Sequence, residues 1–109
     1  MISADAIRGY IDLMVLSILD ERPSYPYELV RTITEVSDGQ YPIKQTTLYS
    51  AVKRLESAGM IAAHAEKSPT GKPRTYYQLT DAGRALRLAR LDEWQQTRDI
   101  VDRFTQGGF

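Results

Sequence analysis

The chain has no cysteine, one histidine and one tryptophan among its 109 residues. Without cysteine there is no disulfide framework, no thiolate nucleophile and no thiolate metal site. The lone histidine, His64, has no cysteines or clustered carboxylates near it in sequence, so a structural zinc, which needs several such ligands, is not expected. No apolar run approaches the eighteen or so residues of a membrane span, and the first residues lack the charged, then apolar, then small pattern of a signal peptide. The expectation is a cytoplasmic protein with no membrane partner. Net charge is missing too: fourteen Lys and Arg balance fourteen Asp and Glu, so bulk positive charge cannot hold the molecule to a nucleic acid. The pattern suggests neither a phosphate-cradling glycine loop nor a Ser/His/Asp arrangement, which argues against an enzyme and against a cofactor.

What the sequence does contain is the 42% hydrophobic and 26% charged balance of a globular domain, and the length suits one core rather than two. Its charge is unevenly spread. Residues 1–43 hold three basic and seven acidic side chains, residues 44–74 six and two, and residues 75–109 five and five. The middle third is therefore the candidate for binding an anion.

Apolar spacing divides the chain into elements. Ile7, Ile11, Met14, Val15, Ile18 and Leu19 lie on one face of a helix over residues 7–19, widened by Leu13 and Leu16. Ser24 is positioned to cap a second helix, which tolerates Pro26 in its first turn and has an inner stripe of Leu29, Val30, Ile33 and Val36. Ser37-Asp38-Gly39 closes it, and Pro42 delays the next helix to about residue 44. From Gln45, the apolar positions Leu48, Ala51, Val52 and Leu55 form an inner face, with Gly59 as the stop. The opposite face, Gln45, Thr46, Tyr49, Ser50, Lys53 and Ser57, is polar and carries one charge. Residues 61–65 and 75–79 read as strands around a basic turn rich in Pro, Gly and Ser. Thr80 caps a last helix to about Phe104, in which Leu91, Trp94, Val101 and Phe104 repeat at near-heptad intervals.

Three helices, a hairpin and a long helix make a mainly α chain with a small β-hairpin, a winged helix-turn-helix. Residues 1–80 would form the DNA-binding part, and residues 81–109 a dimerisation helix packed on helix one. The third helix would enter the major groove and the hairpin tip would reach flanking phosphates. Lys44, Lys53, Arg54, Lys67, Lys72 and Arg74 are the candidates for phosphate contacts, and Gln45, Thr46, Tyr49 and Ser50 for reading base edges of double-stranded DNA. Leu91, Trp94, Val101 and Phe104 would otherwise form an exposed apolar stripe, which points to a second copy of the chain as partner. Arg98, four residues after Trp94, shares its helical face. The competing reading is a winged helix that binds a protein through its hairpin or third helix, kept open by the neutral overall charge.

Four stretches carry a resemblance. They are Ser24-Tyr25-Pro26-Tyr27-Glu28-Leu29; Thr47-Leu48-Tyr49 followed by Lys53-Arg54-Leu55-Glu56; Ala58-Gly59-Met60-Ile61; and Arg74-Thr75-Tyr76-Tyr77-Gln78-Leu79-Thr80 with Gly83. Through them the chain resembles the PadR-like transcriptional regulators, and its length resembles their short subfamily, with one C-terminal dimerisation helix. The resemblance implies a homodimeric repressor with Tyr27, Thr47, Tyr49, Lys53, Lys72 and Arg74 facing DNA. It also implies a planar aromatic effector, of phenolic-acid or multidrug type, stacked on Trp94. Leu13, Ser17, Leu91 and Arg98 would line that site with it. The chain departs from the family's usual pattern at Pro26, where Gly is common, and at Ser50, where Pro is common.

Overall fold

The computed structural model describes residues 1–107 and 109. A short helix α1 (Ala4–Ile7) and a 3-10 turn (Arg8–Tyr10) lead into α2 (Ile11–Glu21), followed by α3 (Pro26–Val36) and α4 (Gln45–Ser57). Strands β1 (Ile61–Lys67) and β2 (Pro73–Leu79) then form an antiparallel hairpin, and α5 (Asp81–Thr105) completes the order. The winged helix-turn-helix expected from the sequence is the fold found.

The apolar spacing predicts one helix over residues 7–19, and the chain instead breaks it. Ser3 caps α1 by accepting the Ala6 N–H at 3.1 Å, the backbone tightens through Arg8–Tyr10, and the long helix starts at Ile11. Gly9, a poor helix former, sits in the middle of that tight turn. Within α2 the apolar pattern then acts as read: Ile11, Val15, Leu16 and Leu19 are buried. Each contributes about 1.5–3 kcal/mol of transfer free energy.

Two expectations about α3 are corrected. Ser24 is not its cap: Tyr25 occupies that position without a side-chain bond, Pro26 opens the helix, and the Ser24 hydroxyl donates to Glu28 Oε1 at 2.7 Å. Ser24 belongs to the sheet instead. Its N–H donates to Tyr77 O at 3.1 Å and its carbonyl accepts from Tyr77 N at 2.7 Å, adding a one-residue bridge to β2. Val36, expected on the inner stripe, is 80% exposed at the last turn of α3, while Leu29 and Ile33 carry the burial. The turn beyond α3 uses positive φ at Asp38 and Gly39, and the Ser37 hydroxyl accepts the Tyr41 N–H at 3.1 Å.

Leu48, Ala51, Val52 and Leu55 of α4 are all buried, as expected. Ile43, just before α4, joins the same core from the loop. Pro26 and Ser50 leave their helices regular: Pro26 falls in the first turn, where an N–H would have no partner within the helix, and the Ser50 hydroxyl donates to Thr46 O at 3.0 Å. The strands run further toward the tip than expected, pairing Ile61 with Leu79 at the base and Lys67 with Pro73 at the end.

Thr80 caps α5, accepting the Gly83 N–H at 3.1 Å and donating to Gly59 O at 2.7 Å. Gly83 is buried against Met60, so helix end, hairpin base and α5 start meet without room for a side chain. A methyl at Gly83 would overlap the Met60 carbonyl oxygen, which is backbone and cannot rotate away. Gly83→Ala is therefore expected to destabilise the fold by about 1–3 kcal/mol, read as a lowered midpoint in urea unfolding. An unchanged midpoint would show that the junction relaxes freely.

Candidate nucleic-acid interface

The outward face of α4 is open. Gln45, Thr46, Tyr49, Ser50 and Lys53 are all exposed, Thr47 is half-buried on the flank, and Lys44 is exposed at the N-cap. This face exists because the four buried positions recur at helical spacing, leaving the intervening side chains to solvent. It offers an amide, hydroxyls, a phenol and an ammonium, the groups that hydrogen-bond base edges and phosphates. The Ser50 hydroxyl is partly committed to Thr46 O, which leaves it chiefly an acceptor.

The wing carries the second set. Lys67 and Lys72 are exposed beside the tip, where Gly71 takes φ 85°. Ser68 N–H donates to Lys72 O and Gly71 N–H to Ser68 O, both at 2.8 Å, so the tip is a hydrogen-bonded turn.

Arg74 is placed differently from the two lysines. Its guanidinium lies 3.9 Å from the centre of the Tyr25 ring, and its Nη1 donates to the Tyr76 hydroxyl at 3.4 Å. Tyr76 meets Tyr25 edge to face at 5.3 Å and stacks with His64 at 6.0 Å. Arg74 thus ties the wing to the residue that precedes α3, through a cation–π contact that favours a planar cation. The phenol beside it stabilises the charged guanidinium and raises its pKa further. Tyr77, on the other face of β2, is half-buried, and burial pushes its phenol up, with Glu56 and Tyr49 of α4 adding to the shift. The phenol therefore stays neutral at physiological pH.

Tyr27 is 58% exposed in the first turn of α3, and the Arg31 guanidinium sits 5.9 Å from its ring centre. Sequence reasoning missed Arg31, although its place four residues after Tyr27 puts both on one helical face. Glu28, between Arg22 and Arg31 at 3.9 Å from each, holds this corner together. Arg54, expected at phosphate, is 59% exposed and also makes a contact within the protein. Its Nη2 donates to Asp12 Oδ1 of α2 at 2.6 Å.

The expected effector and dimer residues do not gather in one place. Trp94 meets Tyr10 edge to face at 4.9 Å. Gly9, Tyr10, Leu13 and Trp94 line one hollow, while Trp94, Arg98 and Val101 line another of about 410 Å³ with Ile2 and Ile7. Ser17 lies in an apolar groove between α2 and α3 with Met14, Ile18 and Val36, which shares only Leu13 with those two hollows. Leu91 is half-buried and lines none of these hollows. The Arg98 Nε lies 3.8 Å from Asp99. Ile100, Val101 and Phe104 are more than half exposed, so the distal part of α5 presents an uncovered apolar stripe. Among the described residues no three His, Cys, Asp or Glu side chains gather as a metal site, and no helix is long and apolar enough to cross a membrane.

An exposed polar helix in a helix-turn-helix, with a basic wing beside it, defines a DNA-binding protein of the winged-helix class. The model of the transcriptional regulator PadR-like family matches residues 15–89, and the chain belongs to that family. It is similar to an uncharacterized protein of Lysinibacillus sphaericus, 33% identical over 107 residues that cover 98% of both chains. Among solved structures it is similar to a transcriptional regulator from Clostridium thermocellum, with a TM-score of 0.87 at 41% identity, covering 95% of this chain and 98% of that one. A PadR family transcription regulator from Clostridium difficile superimposes with a TM-score of 0.79 at 31% identity, covering 89% and 99%. The protein is therefore a DNA-binding transcriptional regulator and not an enzyme.

Proposed function

We propose that the protein is a cytoplasmic, homodimeric repressor that occupies a pseudo-palindromic operator and leaves it when a planar aromatic molecule binds near Trp94. The observation that carries the DNA reading is the exposed row Gln45, Thr46, Tyr49 and Ser50, flanked by Lys44 and Lys53. Such a row can read base edges while the two lysines and the wing's Lys67 and Lys72 hold phosphates. Tyr27, Thr47 and Arg74 complete the proposed DNA-facing set. Two copies of α4 would enter successive major grooves roughly one helical turn apart.

Fluorescence anisotropy of the duplex upstream of the protein's own gene, against a shuffled duplex at about 150 mM salt, tests this. A preference of about 10³-fold or more is the expected result. Equal, weak binding to every duplex, including those selected from a random pool, would favour a protein partner instead. Lys72→Ala is expected to weaken both duplexes alike and to flatten the dependence of log K on log salt by about one.

The stripe of Ile100, Val101 and Phe104 supports the dimer, since an uncovered apolar row on a 25-residue helix is a surface that a second copy can bury. Leu91 and Trp94 continue it toward α2. Val101→Asp should shift the protein from dimer to monomer in sedimentation equilibrium at micromolar concentration; a wild type that is already monomeric there would sink the proposal.

The hollows beside Trp94 support the effector. Leu13 and Arg98 reach them, whereas Ser17 and Leu91 do not, so the first two are the residues we retain for that role. An aromatic ligand must favour the state that does not fit DNA, and a tenfold loss of operator affinity needs about 1.4 kcal/mol of such preference. Because Trp94 is the one tryptophan, its fluorescence should be quenched by phenolic acids or planar aromatic drugs. A flat titration across such a panel would leave Trp94 with packing alone.

A further inference from the structure

The Arg54–Asp12 bond joins residues 42 apart in sequence and, at 2.6 Å, is the shortest ion-pair contact among the described residues. Arg54 follows Lys53 on α4, and successive residues on a helix turn by about 100°. While Lys53 points with Tyr49 and Ser50 away from the core, Arg54 is carried to the flank, where α4 lies against α2. Its acceptor is set in α2: the Asp12 side chain is only 22% exposed, between the buried Ile11 and the half-buried Leu13. No other cation is within salt-bridge distance of Asp12 among the described residues.

We infer that Asp12 and Arg54 are positioning residues that set the rotation and tilt of the recognition helix, and that Arg54 is not a phosphate contact. The core alone leaves this freedom, because Leu48, Ala51, Val52 and Leu55 form an apolar contact without direction. A charged hydrogen bond at the flank adds direction, since it weakens steeply when donor and acceptor are displaced. The four groups that face base edges need a fixed rotation of α4, whereas lysines at phosphates tolerate small changes in it.

This inference rests on the DNA-binding reading, and the two separate by sign. For a phosphate-contacting Arg54, Arg54→Gln weakens all duplexes and lowers the salt slope by about one, while Asp12→Asn, which removes a negative charge, tightens them. For a positioning pair, both variants lower the preference for a cognate duplex over a shuffled one by about fivefold, with shuffled-duplex binding and its salt slope unchanged in Arg54→Gln. The experiment measures anisotropy with the tightest duplex recovered from a random pool and with its shuffled counterpart, for wild type, Asp12→Asn, Arg54→Gln and Asp12→Glu, over a salt series. The expected result is reduced preference in the first two variants and partial recovery in Asp12→Glu, which keeps the acceptor one methylene further out; the urea midpoint of each variant shows that it is folded. Tighter binding of both duplexes by Asp12→Asn, or a salt slope lowered by one in Arg54→Gln, overturns the inference. A wild type without any preference overturns the DNA-binding reading first.

Discussion

Helix α2 packs against α3, α4, α5 and β2, and burial of its middle is the constraint on which the other elements depend. Val15 and Leu16 have no exposed surface. They are adjacent in sequence, so they point about 100° apart and must be covered from two sides. One covering layer cannot bury both. The helix-turn-helix supplies Leu29, Ile33, Leu48 and Val52, and the hairpin base and the start of α5 supply Leu79 and Leu86. The open face of α4 and the distal part of α5 therefore share one support. Polar links on α2 sharpen this: Asp12 holds Arg54 of α4, and Asp20 lies 3.6 Å from Arg87 of α5.

Charge works on a different scale from the core. A neutral chain has little self-repulsion and weak attraction to DNA at a distance, so its cations have to act locally. The excess of basic residues in 44–74 becomes a surface arrangement because α4 buries its apolar positions and the hairpin projects Lys67 and Lys72 at its tip. Beyond about 8 Å at physiological salt this field is screened. On the proposed reading, recognition would then depend on how well the exposed polar row of α4 is held, which is a question of packing and short polar bonds.

Much of this was legible in the sequence, for reasons that are local. The spacing of Leu48, Ala51, Val52 and Leu55 defined α4 and its open face, since a helix with one apolar stripe has few ways to sit on a core. Gly59 and Thr80 marked helix ends because only particular residues satisfy the backbone there. The break at Arg8–Tyr10 was hidden by an apolar period that continues across it. Ser24 looked like a cap because capping chemistry is local, but Tyr77 claims its backbone from across the chain. Val36 keeps the helical period of Ile33 yet falls beyond the reach of the core. The Arg54–Asp12, Arg74–Tyr25 and Tyr10–Trp94 contacts each join distant segments, and no pairwise spacing announces them. The candidate site was thus legible as a set of exposed groups, and the structure adds which of its cations also make contacts within the protein.

That separation changes what the middle segment can do. Of its six cations, Arg54 is bonded to α2 and Arg74 lies over Tyr25, which leaves Lys44, Lys53, Lys67 and Lys72 unengaged among the described ion pairs and cation–π contacts. Lysines contact phosphate as flexible point charges, while the two arginines make the planar, directional contacts that fix one element against another. The two residue types therefore play different parts. On the proposed reading, ammonium groups would supply affinity that tolerates small displacements, while the Arg54 and Arg74 guanidinium groups would also brace the helix and the wing. A signal originating near Trp94 would reach DNA through α2, because Leu13 lines the hollow beside that indole and Asp12, the residue before it, carries the bond to the recognition helix. Because α2 is the centre of the core, a ligand there would act by a small displacement of α2 that the surrounding side chains follow, and the proposed Asp12–Arg54 link would carry it to α4.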